Sequence, residues 1–195
     1  MALGPFNPQH KLLWHHEKAS ALLRGERIWP VMAELDCASH CNQACKWCSF
    51  LPIHTFGLLS WEVLDKLLHD FQDVGLRAIN WTGGGEPTLN PNLGRALILA
   101  KKLGIENGLY SNGQLLTKEL CNEIVMSNVW FRLSLDAGNA ATYSTLHRTK
   151  PKVFDSILRS LRYMVRVREE TNSPITLGAG MLVCRENVEE IRQAV

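Results

Sequence analysis

Cys41, Cys45 and Cys48 stand in the spacing C-x3-C-x2-C, within Cys41-Asn42-Gln43-Ala44-Cys45-Lys46-Trp47-Cys48. Thiolates this close along a chain can converge on one soft metal centre. The number of ligands decides what such a centre can do. A structural zinc or a closed iron–sulfur cluster takes four protein ligands, whereas three leave a metal position open for chemistry. Spacing alone leaves two readings open: a reactive site with a free position, or buried thiols and a zinc loop completed from a distance. Cys37, four residues ahead of Cys41, is the nearest candidate for a fourth thiolate. Its place at the end of a strand suggests instead a small residue pointing into a barrel. Cys121 falls in a helical segment and Cys184 follows a strand, where buried inert thiols are the common outcome.

A second segment with chemical character is Thr82-Gly83-Gly84-Gly85-Glu86-Pro87-Thr88. Its glycines let backbone groups approach a ligand closely. It fails as a phosphate loop, lacking both a Gly-Lys-Ser/Thr ending and the third glycine of a dinucleotide fingerprint. Glu86 would repel phosphate but can receive an ammonium group. His15-His16, His40, His54 and His147 show no helical ligand spacing with another ligand, so each reads as solvated or structural; His40, beside a cluster Cys, is the exception worth checking.

The elements that must position these residues follow from periodicity and punctuation. Residues 9–24 read as a helix stopped by Gly25, and 28–35 as a first strand entered through Pro30. Ser60 caps a helix to about Val74, with Leu64, Leu67, Leu68 and Phe71 on one face, before a strand over 76–81. Helix 92–103 precedes strand 105–110, and a helix capped by Thr117 precedes strand 129–135. A long helix over 152–169 leads to strand 175–182, and Asn187 with Glu190 forms a capping pair for a last helix. Strands alternating with helices imply an α/β fold with a parallel sheet of about five βα units. Loops after the strands then share one face. The Cys trio, the glycine loop, Ser111-Asn112-Gly113, Ser134-Leu135-Asp136 and Cys184-Arg185 all fall in or beside those loops.

Composition sets the boundaries. The 195 residues suffice for one sizeable domain, read as residues 31–195 behind an N-terminal helical extension over 1–30. Hydrophobic residues at 46% and charged residues at 21% are ordinary for a globular chain. The balance of 21 basic and 19 acidic side chains is too even to argue for a nucleic acid or an acidic membrane. Residues 1–8 carry two prolines and no apolar core, so no export signal is expected, and no aliphatic run approaches a membrane span. Six cysteines in that setting point to a reducing compartment, the cytoplasm.

The Cys motif with Trp47, the Gly84-Gly85-Glu86-Pro87 loop and the two serine segments, in this order, resemble the radical S-adenosylmethionine (SAM) superfamily over roughly residues 31–195. The resemblance implies a partial (βα) barrel. It implies that Cys41, Cys45 and Cys48 hold three irons of a [4Fe–4S] cluster whose fourth iron binds SAM. Trp47 would lie near the adenine, Gly84, Gly85 and Glu86 would receive the methionyl ammonium, and Ser111 and Ser134 would contact ribose or carboxylate. Arg148 resembles a carboxylate clamp of some members. The implied activity is reductive cleavage of SAM to a 5′-deoxyadenosyl radical that abstracts hydrogen from substrate. An external donor of flavodoxin or ferredoxin type would supply the electron. The substrate is unidentified, with a small molecule expected; a peptide modifier would normally carry further cluster cysteines. The contrasting expectation is a non-catalytic four-Cys iron–sulfur or zinc protein closed by Cys37. Five units are one short of the family's common barrel, which implies a core incomplete at its C-terminus, and an exposed sheet edge favours association.

Overall fold

In the computed structural model, residues 14–55 and 57–194 are described. The chain divides into two compact units between Val31 and Met32. The first holds α1 (His16–Leu23), none of whose side chains is buried. Gly25 stops it at φ +76°, as the sequence suggests. Residues 9–13 of the expected helix lie outside the described residues.

The second unit alternates strand and helix throughout. Its strands are β1 (Met32–Leu35), β2 (Ala78–Trp81), β3 (Glu106–Ser111), β4 (Asn128–Ser134) and β5 (Thr176–Gly180). They form one sheet in sequence order, parallel at every pairing and not closed on itself. The helices are α2 (Trp61–Asp73), α3 (Leu93–Lys102), α4 (Lys118–Ser127), α5 (Ala140–His147), α6 (Lys152–Thr171) and a final turn α7 (Ile191–Ala194). Ser60 and Thr117 cap α2 and α4 as expected, accepting from Val63 N and Leu120 N. No helix among the described residues is long and apolar enough to cross a membrane.

Side-chain alternation gives the sheet two unlike faces. Ile79, Trp81, Leu109, Phe131 and Leu133 are all at most 1% exposed and belong to the core under the helices. Burying each such side chain stabilises the fold by roughly 1.5–3 kcal/mol. Within that core Asn107 accepts from Trp81 Nε1 and donates to the Leu97 and Ser127 carbonyls, so its amide meets its partners without water. The opposite, concave face carries the register Glu34–Asn80–Gly108–Trp130–Thr176, and above it Tyr110–Arg132–Gly178.

Four expectations need correction. The first strand begins at Met32 rather than 28, beyond Pro30, which has no N–H to give a ladder. The fifth ends at Gly180 rather than 182, because Leu182 N donates to Asp136 Oδ1 (2.6 Å) instead of a neighbouring strand. Helix α5 lies where no element was assigned from the sequence. Asn187 and Glu190 form no capping box: Asn187 donates to the Asp136 and Leu182 carbonyls, and Glu190 accepts from Gly138 N and Asn139 Nδ2.

Candidate metal and cofactor site

The loop between β1 and α2 carries the Cys trio, and its base is closed locally. Ser39 N donates to Gly57 O and Thr55 N to Ser39 O, beside an isolated antiparallel bridge between Ala38 and Leu58. Its far side is clasped by α5, where Lys46 N donates to Leu146 O (2.9 Å) and Gln43 Nε2 to the Tyr143 hydroxyl (2.9 Å). The loop is thus held between the strand it leaves and a helix a hundred residues further on.

The glycine loop after β2 packs against this segment. Glu86 N donates to His40 O (2.9 Å). A Cβ on Gly85 would stand 2.1 Å from Ala38 O, so only glycine allows the two loops to meet. Gly83 adopts φ +120° with Asp36 against it, and Asp36 Oδ2 accepts from Gly84 N (2.7 Å). His54 Nε2 lies 2.6 Å from Gly84 O.

Glu86 is 3% exposed and its carboxylate is committed inward. Oε1 accepts from Thr88 N, Thr88 Oγ1 (2.6 Å) and Ser111 Oγ (2.7 Å), and Oε2 from Asn112 N (2.8 Å). Burial pushes its pKa up, against the pull of these four bonds. Glu86 and Ser111, both expected as ligand contacts, therefore also lock the loops after β2 and β3 together.

All three cysteines line one cavity of about 220 Å³, together with Trp47, Gly84, Tyr110 and Ser134. Cys41 Sγ receives Gln43 N at 3.4 Å and Asn112 Nδ2 at 3.6 Å, and Cys45 Sγ lies 3.2 Å from His147 Nδ1. Burial pushes the Cys45 thiol up to about 12 and raises Cys41 as well. Holding either as a thiolate in this cavity takes a positive centre beside it. Among the described residues no three His, Cys, Asp or Glu side chains converge on a single metal ion. Three thiols on one cavity wall, with N–H groups aimed at the Cys41 sulfur, form a donor set that fits an iron–sulfur cluster.

Cys37 lies elsewhere. It is 1% exposed within the hydrophobic core, its Sγ faces Pro87 O at 3.7 Å, and burial pushes its thiol up to about 12. It neither points into the barrel, as expected, nor lines the cavity. Arg148 is also outside: exposed, it ends α5 in the left-handed conformation at φ +50°.

Two residues not expected as site residues, His147 and Asp136, line the cavity. His147, expected to be solvated or structural, is 1% exposed and stacks on Tyr143 at 4.2 Å. Gln43 Oε1 lies 2.9 Å from its Nδ1, which assigns the proton to that nitrogen, since the Gln43 amide spends its N–H groups on Tyr143 and Gln114. His147 Nε2 is 3.4 Å from Asp136 Oδ2 without hydrogen-bond geometry. Asp136 itself is left-handed at φ +53°, fixed by bonds to Leu182 N and Gly180 O. The cap at Asn139 was the one local clue to α5 and hence to His147.

Residues 37–195 match the sequence profile of the Radical SAM superfamily. The tungsten-containing aldehyde ferredoxin oxidoreductase cofactor-modifying protein of Pyrococcus furiosus is 27% identical over 168 residues, covering 80% of this chain and 45% of that protein. The S-adenosylmethionine-dependent nucleotide dehydratase of Flammeovirga pacifica is 28% identical over 115 residues, 56% of this chain and 39% of that one. The crystal structure of Streptococcus suis SuiB bound to precursor peptide SuiA superimposes with a TM-score of 0.73 at 19% identity, over 96% of this chain and 41% of the other. At that identity the structural likeness is one of fold. The chain spans about half the length, or less, of these relatives.

Proposed function

The chain belongs to the radical SAM superfamily, whose members use a [4Fe–4S] cluster and S-adenosylmethionine, and on that premise we propose an enzyme that abstracts hydrogen from its substrate. The observation that carries the proposal is the single cavity shared by Cys41, Cys45, Cys48 and the glycine loop, with Cys37 excluded from it. Cys41, Cys45 and Cys48 would hold the cluster. When bound, cluster and SAM supply a one-electron cleavage that yields a 5′-deoxyadenosyl radical.

The chain's own residues bind and orient. The backbone around Gly84 and Gly85, pinned by Asp36 and His54, would present carbonyls to the methionyl ammonium. Glu86 would act mainly from beneath, fixing Ser111 and Asn112 so that the Asn112 amide stays on Cys41. Trp47, on the cavity wall between two cluster ligands, is placed to cover the adenine, and Ser134 to meet the ribose. Such fixed geometry supplies positioning rather than new chemistry. We give Arg148 no part in this arrangement, because it does not line the cavity.

Members of the family need an electron donor; we assign this one to a flavodoxin- or ferredoxin-like protein. Six free cysteines support a cytoplasmic setting. The closed four-Cys reading loses its support with the burial of Cys37.

The test is anaerobic reconstitution with iron and sulfide, then reduction with SAM present. Bound iron of about four atoms per chain and release of 5′-deoxyadenosine are expected. Full cluster content with an unaltered spectrum on adding SAM, and no 5′-deoxyadenosine, overturns the proposal.

A further inference from the structure

We propose that Arg132 anchors an anionic group, a carboxylate or a phosphate, on the substrate of this site; the inference rests on the radical SAM reading above. Arg132 lies on β4 between Phe131 and Leu133, which are 1% and 0% exposed on the helix side. Alternation therefore places Arg132 on the concave face. Its register partners there are Tyr110 on β3 and Gly178 on β5. Tyr110 and Ser134, its neighbours across and along the sheet, both line the cofactor cavity.

Arg132 is exposed, and an exposed guanidinium is free to pair with a carboxylate. Among the described residues Arg132 has none, and its only charge-dependent contact is the face of the Tyr110 ring, 5.4 Å from the centroid. The strand opposite makes room for the head group. A Cβ on Gly180 would stand 2.5 Å from Arg132 Nε and 2.6 Å from Nη2, so the guanidinium occupies the space that glycine leaves there. One step earlier, a Cβ on Gly178 would meet nothing within 4 Å, which leaves open space beside the guanidinium. The fork is thus steadied by an aromatic face and a bare backbone, with room for a planar or tetrahedral anion that can take two N–H bonds.

Carboxylates on the β1 edge of the concave face already have partners. They are Glu34 on β1, which accepts from Asn80 Nδ2 at 3.3 Å, and Asp36, which accepts from Gly84 N. Asp136 at the top of β4 is engaged by Leu182 N and stands beside His147. An anionic group is repelled from β1 and drawn to the gap between β4 and β5. The methionyl end of the cofactor belongs, on the reading above, to the β1–β2 loops, which leaves Arg132 to the substrate.

The experiment is calorimetric titration of the anaerobically reconstituted, SAM-loaded protein at low salt with inorganic phosphate and, separately, with succinate. One of the two probes is expected to bind saturably, and which one does so separates a phosphate from a carboxylate. Arg132→Gln should weaken that binding by about tenfold or more, and Arg132→Lys by less, because a charge remains but the fork is lost. Gly180→Ala, which pushes a methyl into the guanidinium without removing it, should weaken it as well. SAM affinity should stay within about twofold in all three variants, in line with the modest effect of changes outside a contact. Binding of neither probe, or binding undiminished by Arg132→Gln and Gly180→Ala, overturns the proposal. So does a loss of SAM affinity in Arg132→Gln with the probe unaffected, which would give Arg132 to the cofactor. Failure of the unaltered protein to bind SAM would instead strike the functional reading, while the probe titration still reports on Arg132.

Discussion

Around the glycine loop, on the β1–β3 side of the cavity, polar groups end on one another. Glu86 accepts four hydrogen bonds, Asp36 holds Gly84 N, and Asn112 bridges from Glu86 to Cys41. On the β4–β5 side the finish is different. Among the described residues Arg132 has no carboxylate partner, His147 Nε2 has no hydrogen-bond partner, and Gly178 and Gly180 leave the wall bare. An exposed guanidinium beside bare glycine backbone is open to a partner, whereas Glu86 and Asp36 on the other side are already engaged within the chain. The contrast separates two tasks: one side is rigid before any ligand arrives, and the other is shaped to be completed by one.

The largest expected effects test the rigid side through its thiols. Cys45→Ala should abolish cluster retention, read as bound iron and sulfide, whereas Cys37→Ala should keep the full content and cost about 1 kcal/mol through lost core packing. Equal loss in both variants would move Cys37 into the site and erase the distinction between core thiol and ligand thiol.

Next comes the carboxylate beneath. In Glu86→Gln an amide N–H must face either Asn112 N or the Thr88 and Ser111 donors, which should lower stability to urea by about 2–4 kcal/mol. The sign of the pH effect follows from burial, which holds the Glu86 carboxyl above its ordinary value. Between the unfolded and the folded pKa the native chain keeps a proton that the unfolded chain has lost. Stability from this group is therefore fully present below the unfolded value and falls as pH rises toward the folded one. Glu86→Gln should flatten that slope, and an unchanged slope would assign it to other groups.

His147 sits where the two sides meet, with Nδ1 on Gln43 and Cys45 and Nε2 toward Asp136. Removing the N–H in His147→Leu should speed iron loss to a chelator by roughly 10–100-fold, the scale of groups that orient a metal ligand. No change would make the stacking on Tyr143 its whole role, and a structural one.

The rigid side was the legible side. C-x3-C-x2-C, the glycine run and the strand–helix alternation are local patterns, and the parallel sheet in sequence order follows from them. What escaped depends on distance along the chain. His147 meets Cys45 across 102 residues, and Arg132 is defined by glycines 46 and 48 positions later, which no spacing announces. Cys37 misled because it was judged by its position at a strand end alone: alternation from Ala33 and Leu35, which pack on the core, continues to Cys37. Helix α5 escaped for a physical reason too: Ala-Ala-Thr-Tyr-Ser-Thr-Leu-His has no apolar stripe, although Tyr143, Leu146 and His147 are buried together.

That helix offers the smallest and sharpest test. Asn139 Oδ1 accepts from Ala141 N and Thr142 N, both at 3.0 Å, and its amide donates to Glu190 Oε1 at 2.7 Å. Asn139→Ala should cost about 1 kcal/mol as a lost N-cap, read as a shift in the urea midpoint at constant slope. Glu190 also accepts from Gly138 N and from the Thr142 hydroxyl, so the start of α5 stays partly tied without the cap. Its last turn is tied separately, by Lys46 N on Leu146 O. Cluster retention should therefore survive Asn139→Ala while stability falls. If iron is lost in proportion to stability instead, the helix start and His147 move as one body, and the boundary between the rigid and the open side lies before α5 rather than at its end.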